Sequence, residues 1–458
     1  MSRSTTPLTL SAIVARGGTS KGLFFEGSAL CRELRFPAGC TVSQLFDEKK
    51  KSETESHISL SEKATLRQKL TRSLLRVVLN KEGLPDPSGA QIDGMGGATS
   101  STSKVVILEK RASPAASNRS GDVEKVVINY IFGQVATKTP EIDWSTACGN
   151  LASAVGVVAE FFGLVKSSST TPPTSEEEKH GPAAPNPLSV WQVNKGYPLE
   201  IQPLPPDHPI EIAGVPGFAP GCVVNFILGK KQEPLLPLGA STEIEISTRT
   251  EDSAEDTIQP PGMKMSELAA ASVRSIPVTV VDGAVISVFC AARDLGLELP
   301  GDSNFVADLQ AYTAAQTARA TLLVDRVRRA VAEKCGVADW GASAARVVWV
   351  GRNDESGQLR ACVSAPGRPR HHAFTGTGAV NLAIAAAIPG TVVADELGGG
   401  GHHTASGAQL RFVHPAGPMD VTSSVRFNDA RDAWEAESAG LVRSARVLMK
   451  GEVFLEGD

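Results

Sequence analysis

Two segments of this 458-residue chain enter a helix in the same way, and each helix is apolar on every side. In the first, Thr146-Ala147-Cys148-Gly149-Asn150 leads into an apolar run from Leu151 to Gly163. In the second, Ala373-Phe374-Thr375-Gly376-Thr377-Gly378 leads into an Ala-rich run that ends at Ile388, before Pro389. A helix without a polar face finds no stable place on a surface and must be surrounded. Strands wrapped around a buried helix, given twice, satisfy both segments. The expected fold is therefore α+β, in two related halves whose helix N-termini face a shared cleft. Chance similarity between two Ala/Gly-rich stretches is the competing reading.

The length calls for two or three domains with ample cores. A net charge of −5 and an aromatic content of 5% argue against nucleic-acid binding, since no basic run is interleaved with stacking rings. The seven cysteines are scattered, odd in number and never spaced C-x-x-C, so reduced thiols in a cytoplasmic protein are expected. No charged segment precedes an apolar core at the N-terminus, and Leu382–Ile388 is too short to span a bilayer, so neither export nor a membrane is expected.

Residues 7–26 read as a strand, a Gly-rich turn over Arg16–Gly22 and a second strand at Leu23-Phe24-Phe25. Leu66, Leu70, Leu74 and Val78 predict an amphipathic helix behind Ser59/Ser61, ending near Gly83 and Pro85. Further strands are expected at 105–108, 125–135, 188–193, 408–414 and 442–455, and a second structured region begins near 276–283 and continues through a long helix over 303–335. Segments 111–122, 166–187 and 250–263 have the composition of inserted solvent loops.

Cysteine followed by Gly-Asn and a helix places a thiol where free N–H groups and the helix dipole favour thiolate and attract carboxylates. A buried inert thiol is the bland alternative for Cys148. Lys104 closes the run Gly94-Met95-Gly96-Gly97-Ala98-Thr99-Ser100-Ser101-Thr102-Ser103, which offers many donors and little bulk. That suits a small polyanion, with Lys104 as charge or as an acid/base group. Arg16 is a candidate carboxylate fork beside Thr19, Ser20 and Lys21. The Arg16–Gly22 loop lacks the first glycine of a phosphate loop, which excludes nucleotide binding by that motif. His371-His372 and His402-His403 lack the spacing of a metal site, and a cleft hydrogen bond from His371 or His372 fits better. Asp282 either shapes a turn or faces the ligand.

Taken together, Arg16-Gly17-Gly18-Thr19-Ser20-Lys21-Gly22-Leu23-Phe24-Phe25, Asp93–Lys104 and Cys148-Gly149-Asn150 resemble the signatures of the 2-methylaconitate cis-trans isomerase family. The resemblance covers most of the chain outside the three inserts. It implies a diaminopimelate-epimerase-like fold of two pseudo-symmetric halves, each a curled β-sheet around a central helix. On that reading residues 1–272 form the first half and 273–420 the second, while 421–458 return to the first. It also implies an active site between the halves that needs neither cofactor nor metal, a small di- or tricarboxylate substrate, and room for a homodimer. By motif position, Lys104 and Cys148 are the implied proton-transfer pair. Arg16, Thr19, Ser20, Lys21, Met95, Gly96, Gly97, Ser101, Gly149, Asn150, Asp282, His372, Thr375, Gly376 and Thr377 are the implied substrate contacts.

Two departures sharpen this. Val285-Ile286 stands where bacterial members tend to carry Asn-Pro, and Thr375 stands where the epimerases place a second cysteine. One thiol instead of two argues against stereocentre inversion and for moving a double bond. The inserts favour a reading like fungal aconitate Δ-isomerase, which acts on cis-aconitate in itaconate biosynthesis. A 2-methylaconitate isomerase, a 4-oxalomesaconate tautomerase and a non-catalytic carboxylate-binding protein are the alternatives.

Overall fold

The computed structural model describes residues 8–46, 58–111, 127–166, 186–205, 207, 209–229, 234–247, 273–303, 305–307, 311–337, 345–364, 369–398 and 408–455. The core of each expected insert, and His402-His403, lie outside the described residues. The chain divides into one unit of residues 1–227 with 442–458, and a second of residues 228–441. The second unit thus begins well before residue 273, and the C-terminal return begins at Val442, not at 421.

The first unit is built on β1 (Leu8–Gly17), β2 (Ser20–Glu26), β3 (Lys104–Lys110), β4 (Val127–Val135), β5 (Ile142–Asp143), β6 (Leu188–Gln192), β7 (Tyr197–Pro203), the small hairpin β8 (Ile210–Ile212) and β9 (Val215–Ala219), and β10 (Gly221–Ile227). Its main sheet runs β1-β2-β3-β4-β6-β7-β10. Pairing is antiparallel for β1–β2, parallel for β2–β3, antiparallel for β3–β4, parallel for β4–β6, and antiparallel for β6–β7 and β7–β10. The chain's last strand pairs with both β1 and β10, so this sheet closes on itself.

Alternation sends the two faces of these strands to different partners. Leu23, Phe25, Val105 and Ile107 pack with Leu70, Leu74, Val77 and Val78 of the helix Leu60–Val78. Ser59 caps that helix by accepting the Glu62 N–H, and the helix ends at Val78, earlier than the Gly83–Pro85 signal. The segment 148–153 meets β1, β2, β4, β10 and the last strand. The supporting contacts are Gly17 against Asn150 O, Gly22 against Leu151, Tyr130 OH to Cys148 O, Cys222 to Ser153 O, and Arg443 to Asn150. A closed sheet around this segment is what an apolar helix entry demands.

The helix expected over Leu151–Gly163 is broken into Gly149–Ala152 and Val155–Phe161. Ser153 Oγ donates to Asn150 O at 2.7 Å. A serine hydroxyl competing for a carbonyl one turn back is a known source of helix distortion. Phe161 is exposed, so burial on all sides does not hold for this helix.

The second unit contains β11 (Thr242–Ser247), β12 (Val273–Asp282), β13 (Ile286–Ala291), β14 (Ala345–Arg352), β15 (Leu359–Val363), β16 (Ala408–His414), β17 (Gly417–Asn428) and the start of β18 (Ala433–Leu455), the chain's last strand. β11 pairs antiparallel with β12. From β12 the pairing is antiparallel to β13, parallel to β14, antiparallel to β15, parallel to β16, then antiparallel to β17 and β18. The long helix spans Ala314–Lys334 and not 303–335. A capping box between Thr313 and Gln316 fixes its start, and Val324, Val327 and Val331 pack on Val278, Val280 and Val347. The helix Gly376–Ala387 is buried along its length through Ala386, as an all-apolar helix requires.

Candidate active site

The hairpin β1–β2 turns through Gly18 and Thr19, with Gly17 opposite Ser20. Gly18 has φ +48°, and a Cβ on it would lie 2.3 Å from Asn150 Oδ1. A Cβ on Gly17 would lie 2.3 Å from Asn150 O. The glycines of the motif thus let the hairpin tip lie against the helix start. Asn150 Nδ2 donates to Thr19 Oγ1 at 3.3 Å, which ties the tip to the helix from the other side.

Cys148 is the N-cap residue of the helix Gly149–Ala152 and is half-buried. Its Sγ accepts the Leu151 N–H at 3.5 Å and lies 4.0 Å from Ser20 Oγ. A sulfur in the capping position receives the N–H that a cap oxygen would receive. Tyr130 OH donates to Cys148 O at 2.8 Å and fixes the residue from below. Burial foremost, then the nearby Cys148, push the Tyr197 hydroxyl up from its ordinary value, so it stays protonated. That hydroxyl has no partner among the described residues.

Lys104 opens β3 beside β2, whose Leu23 pairs with Val105. It is 7% exposed, its Nζ donates to Gln134 Oε1, and the ammonium lies 5.3 Å from the Phe132 ring centroid. Gln134 Nε2 donates to the carbonyls of Ser100 and Ser103 at 3.0 Å, which orients its oxygen toward Lys104. A Cβ on Gly22 would meet Leu151 Cδ1 at 2.8 Å and Lys104 Cβ at 3.3 Å. Lys104 and the Cys148 helix start therefore flank one glycine.

The loop before Lys104 is organised differently from the open donor cradle its composition suggests. Met95 N and Gly96 N donate to Val77 O and Val78 O, closing the C-terminal end of the helix Leu60–Val78, and Gly97 N donates to Thr102 O. Those N–H groups are spent inside the fold. Gly96 is glycine because a Cβ would meet Gln91 Oε1 at 2.4 Å. Ser101 is buried and its carbonyl accepts the Lys21 N–H at 2.9 Å, so this loop and the hairpin are joined. Arg16 is not an open fork either. Its guanidinium donates to Gly18 O at 2.9 Å, to Ser444 O at 3.1 Å and to Ser444 Oγ at 3.2 Å.

In the second unit Thr375 caps the helix Gly376–Ala387, accepting the Gly378 N–H at 3.2 Å. Gly376 and Thr377 are buried in its first turn. His371 Nδ1 accepts the Ala373 N–H at 3.0 Å, so that nitrogen acts as an acceptor. His372 is exposed and stacks on His371 at 4.4 Å. Asp282 ends β12 and its N–H donates to Leu235 O. Among the described residues no group of three or more His, Cys, Asp and Glu could hold a metal ion.

Four residues of this architecture carry no signal strong enough to single them out in the sequence. Gln134, Tyr130 and Tyr197 lie in ordinary strand patterns. Arg443 is 3% exposed, its Nε donates to Asn150 Oδ1 at 2.8 Å, and burial holds its pKa down at about 10. The usable hint was a lone charge at an apolar-phase position of a strand, Leu441-Val442-Arg443.

Comparison with known proteins fits this geometry. A 2-methyl-aconitate isomerase of Cupriavidus necator is 29% identical over 98% of this chain and 97% of its own. A 4-oxalomesaconate tautomerase of Pseudomonas putida is 28% identical over 84% of this chain and 89% of its own. The crystal structure of a methylitaconate-delta-isomerase superposes with a TM-score of 0.57 at 20% identity, covering 99% of this chain and 97% of the other, and so shares the fold. The class defined by a capped thiol, a buried amine and these relatives is that of isomerases. The chain belongs to the PrpF protein family, whose model matches residues 8–456.

Proposed function

We propose that the chain converts cis-aconitate to trans-aconitate by an allylic proton shift between Cys148 and Lys104. The base removes a proton from the CH2 next to the C=C. The electron pair delocalises over the allyl system into a carboxylate. The acid then delivers a proton to the far end of that system, and the double bond moves with a new geometry. The carbanion is the costly species, so donors must already face the carboxylate that accepts its charge. Ser20, Thr19, Gly149 and Asn150 supply such donors at the helix start, with Ser101 and Lys21 beside them. The observation that carries the reading is the Cys148 cap: its sulfur takes the Leu151 N–H, and the Leu151 side chain and the Lys104 carbonyl and Cβ both lie against Gly22.

The asymmetry of the pair rests on treating the units as related halves. In support, β1-β2-β3-β4-β6-β7-β10 and β12-β13-β14-β15-β16-β17-β18 repeat one sequence of parallel and antiparallel pairings. In each, a first hairpin glycine is pressed on a helix asparagine, Gly18 on Asn150 and Gly283 on Asn381. Cys148 and Thr375 are each the N-cap of the helix that carries this asparagine, so as N-caps Thr375 takes the place of Cys148 and one thiol serves the reaction.

The name of the Cupriavidus necator relative favours 2-methylaconitate as the second reading. Incubation of purified protein with cis-aconitate in D2O, followed by 1H NMR, separates them. Deuterium incorporation with trans-aconitate formation supports the proposal. Exchange without new product moves the assignment to another unsaturated acid, and no exchange removes aconitate from consideration.

A further inference from the structure

We infer that the second unit carries a binding site for a small monocarboxylate, centred on the buried guanidinium of Arg370. This inference is independent of the aconitate reading. Arg370 is 1% exposed. Its Nε donates to Tyr312 OH at 3.2 Å, and its Nη2 donates to Val306 O and to Ala307 O. The guanidinium lies 4.7 Å from the Phe305 ring centroid and 5.2 Å from that of Tyr312. Its Nη1 is buried without a hydrogen-bond partner among the described residues. No described carboxylate forms an ion pair with it. Carbonyls and ring faces satisfy hydrogen bonds and polarise toward a cation, but they do not neutralise one. A buried charge left without its counter-charge is strongly unfavourable.

Arg370 lines a small cavity whose walls include Leu297, Trp349 and Pro369 and whose mouth carries Arg319. The Trp349 indole N–H donates to Glu298 O, so that wall is fixed. The helix Ala314–Lys334 begins at this mouth and adds the positive end of its dipole. Arg319, exposed and bonded to Gly296 O at 3.2 Å, adds a second cation. Glu298 is the one acidic residue of the lining and opposes an anion. Two cations against one carboxylate leave a net charge that a monoanion balances and a polyanion exceeds. Apolar walls and the unpartnered Nη1 amino group fit one carboxylate with a short alkyl group behind it. Strongly hydrated phosphate or sulfate would leave oxygens facing Leu297 and Trp349.

The test uses the full-length protein and acetate or propionate as probe, at constant ionic strength with chloride as the balance. Saturation-transfer NMR and calorimetric titration should give saturable binding that Cys148→Ala leaves intact, which separates it from the thiol site. Arg370→Met should weaken binding roughly tenfold or more, as loss of a charge-assisted hydrogen bond does. Arg319→Glu, at an exposed position, should abolish it and decides the matter if Arg370→Met fails to fold. Absence of saturable binding overturns the inference. So does affinity unchanged in these variants, which would make Arg370 a structural cation held by Phe305 and Tyr312.

Discussion

Arg443 Nε meets Asn150 Oδ1 at 2.8 Å, joining residues 293 positions apart in the chain. The same Asn150 side chain donates to Thr19, and Gly18 lies against both Asn150 and the Arg443 side chain. One asparagine therefore locks the hairpin tip, the last strand and the helix start that presents Cys148. Arg443 acts on the thiol through Asn150 and through its buried charge. Replacing it with methionine should leave Asn150 Oδ1 unpaired and cost about 1–3 kcal/mol in urea unfolding. Turnover should fall roughly tenfold to a hundredfold through misplacement of the helix start. Alkylation of Cys148 at pH 7.5 should be slower in the variant. Lost stability with an unchanged alkylation rate would reduce Arg443 to a structural role.

Gly18→Ala tests the hairpin contact. The position combines φ +48° with a Cβ site 2.3 Å from Asn150 Oδ1, so strain and collision add. The loss should exceed about 2 kcal/mol. Gly39→Ala is the control, with φ +79° and nothing within 4 Å of a Cβ. It should cost only about 1 kcal/mol. Equal losses at both sites would show that Asn150 moves aside.

The thiols should separate by reactivity. Burial pushes Cys31 up to about 12, Cys222 up to about 12 and Cys362 up to about 12, and it raises Cys40, Cys290 and Cys335 as well. Iodoacetamide at pH 7.5 should label Cys148 first, with peptide mass spectrometry reading the site. Cys148→Ala should abolish the fast phase and lower isomerisation by about a hundredfold to ten-thousandfold, the range for loss of a general acid or base. Fast labelling at Cys40 or Cys335 instead would remove the argument from the helix cap.

The motifs of the first unit were legible because close backbone approach leaves glycine in the sequence: Gly17, Gly18 and Gly22 mark where the hairpin meets the helix. Roles of donors were less legible. The Gly94–Gly97 loop looked like an anion cradle because composition cannot tell an open N–H from one that closes a helix end, as those of Met95 and Gly96 do. Arg16 looked like a ligand fork because its partner Ser444 lies 428 positions away. Helix starts were legible only where a cap was found, and the Thr313 capping box was missed within a longer expected helix.

Glu109 gives a pH prediction. Burial foremost raises its carboxyl, although Val42 N and Ser43 N donate to it at 2.7 Å and 3.0 Å and pull the other way. A carboxyl raised in the folded state binds a proton that the unfolded chain has released. Its contribution to stability is full below the ordinary carboxylate range and is lost as pH rises through the raised value. Relative to Glu109→Gln, the parent should gain unfolding free energy on going from pH 7 to pH 4. A constant difference across that range would contradict the assignment.

Asn381 offers the sharpest test of the second unit. It is fully buried, and its Nδ2 donates to Val281 O at 3.2 Å, to Val285 O and to Ser287 Oγ at 2.9 Å. Its Oδ1 accepts the Ala284 N–H at 3.0 Å. One amide thus holds the whole turn that carries Asp282. Asn381→Leu keeps the branched shape, adds bulk and strands these groups, which should cost roughly 3–5 kcal/mol. Asn381→Asp should behave differently, because a carboxylate would face two carbonyl oxygens and must take up a proton to donate. Its folded-state pKa would be raised, so its stability is retained below the ordinary aspartate range and lost as pH rises through the raised value. Urea unfolding at pH 4.5 and pH 8 should show Asn381→Asp nearer the parent at the lower pH, while the Asn381→Leu deficit stays level. If the aspartate variant lost as much at both, the donor role of Asn381 would not be what fixes this turn.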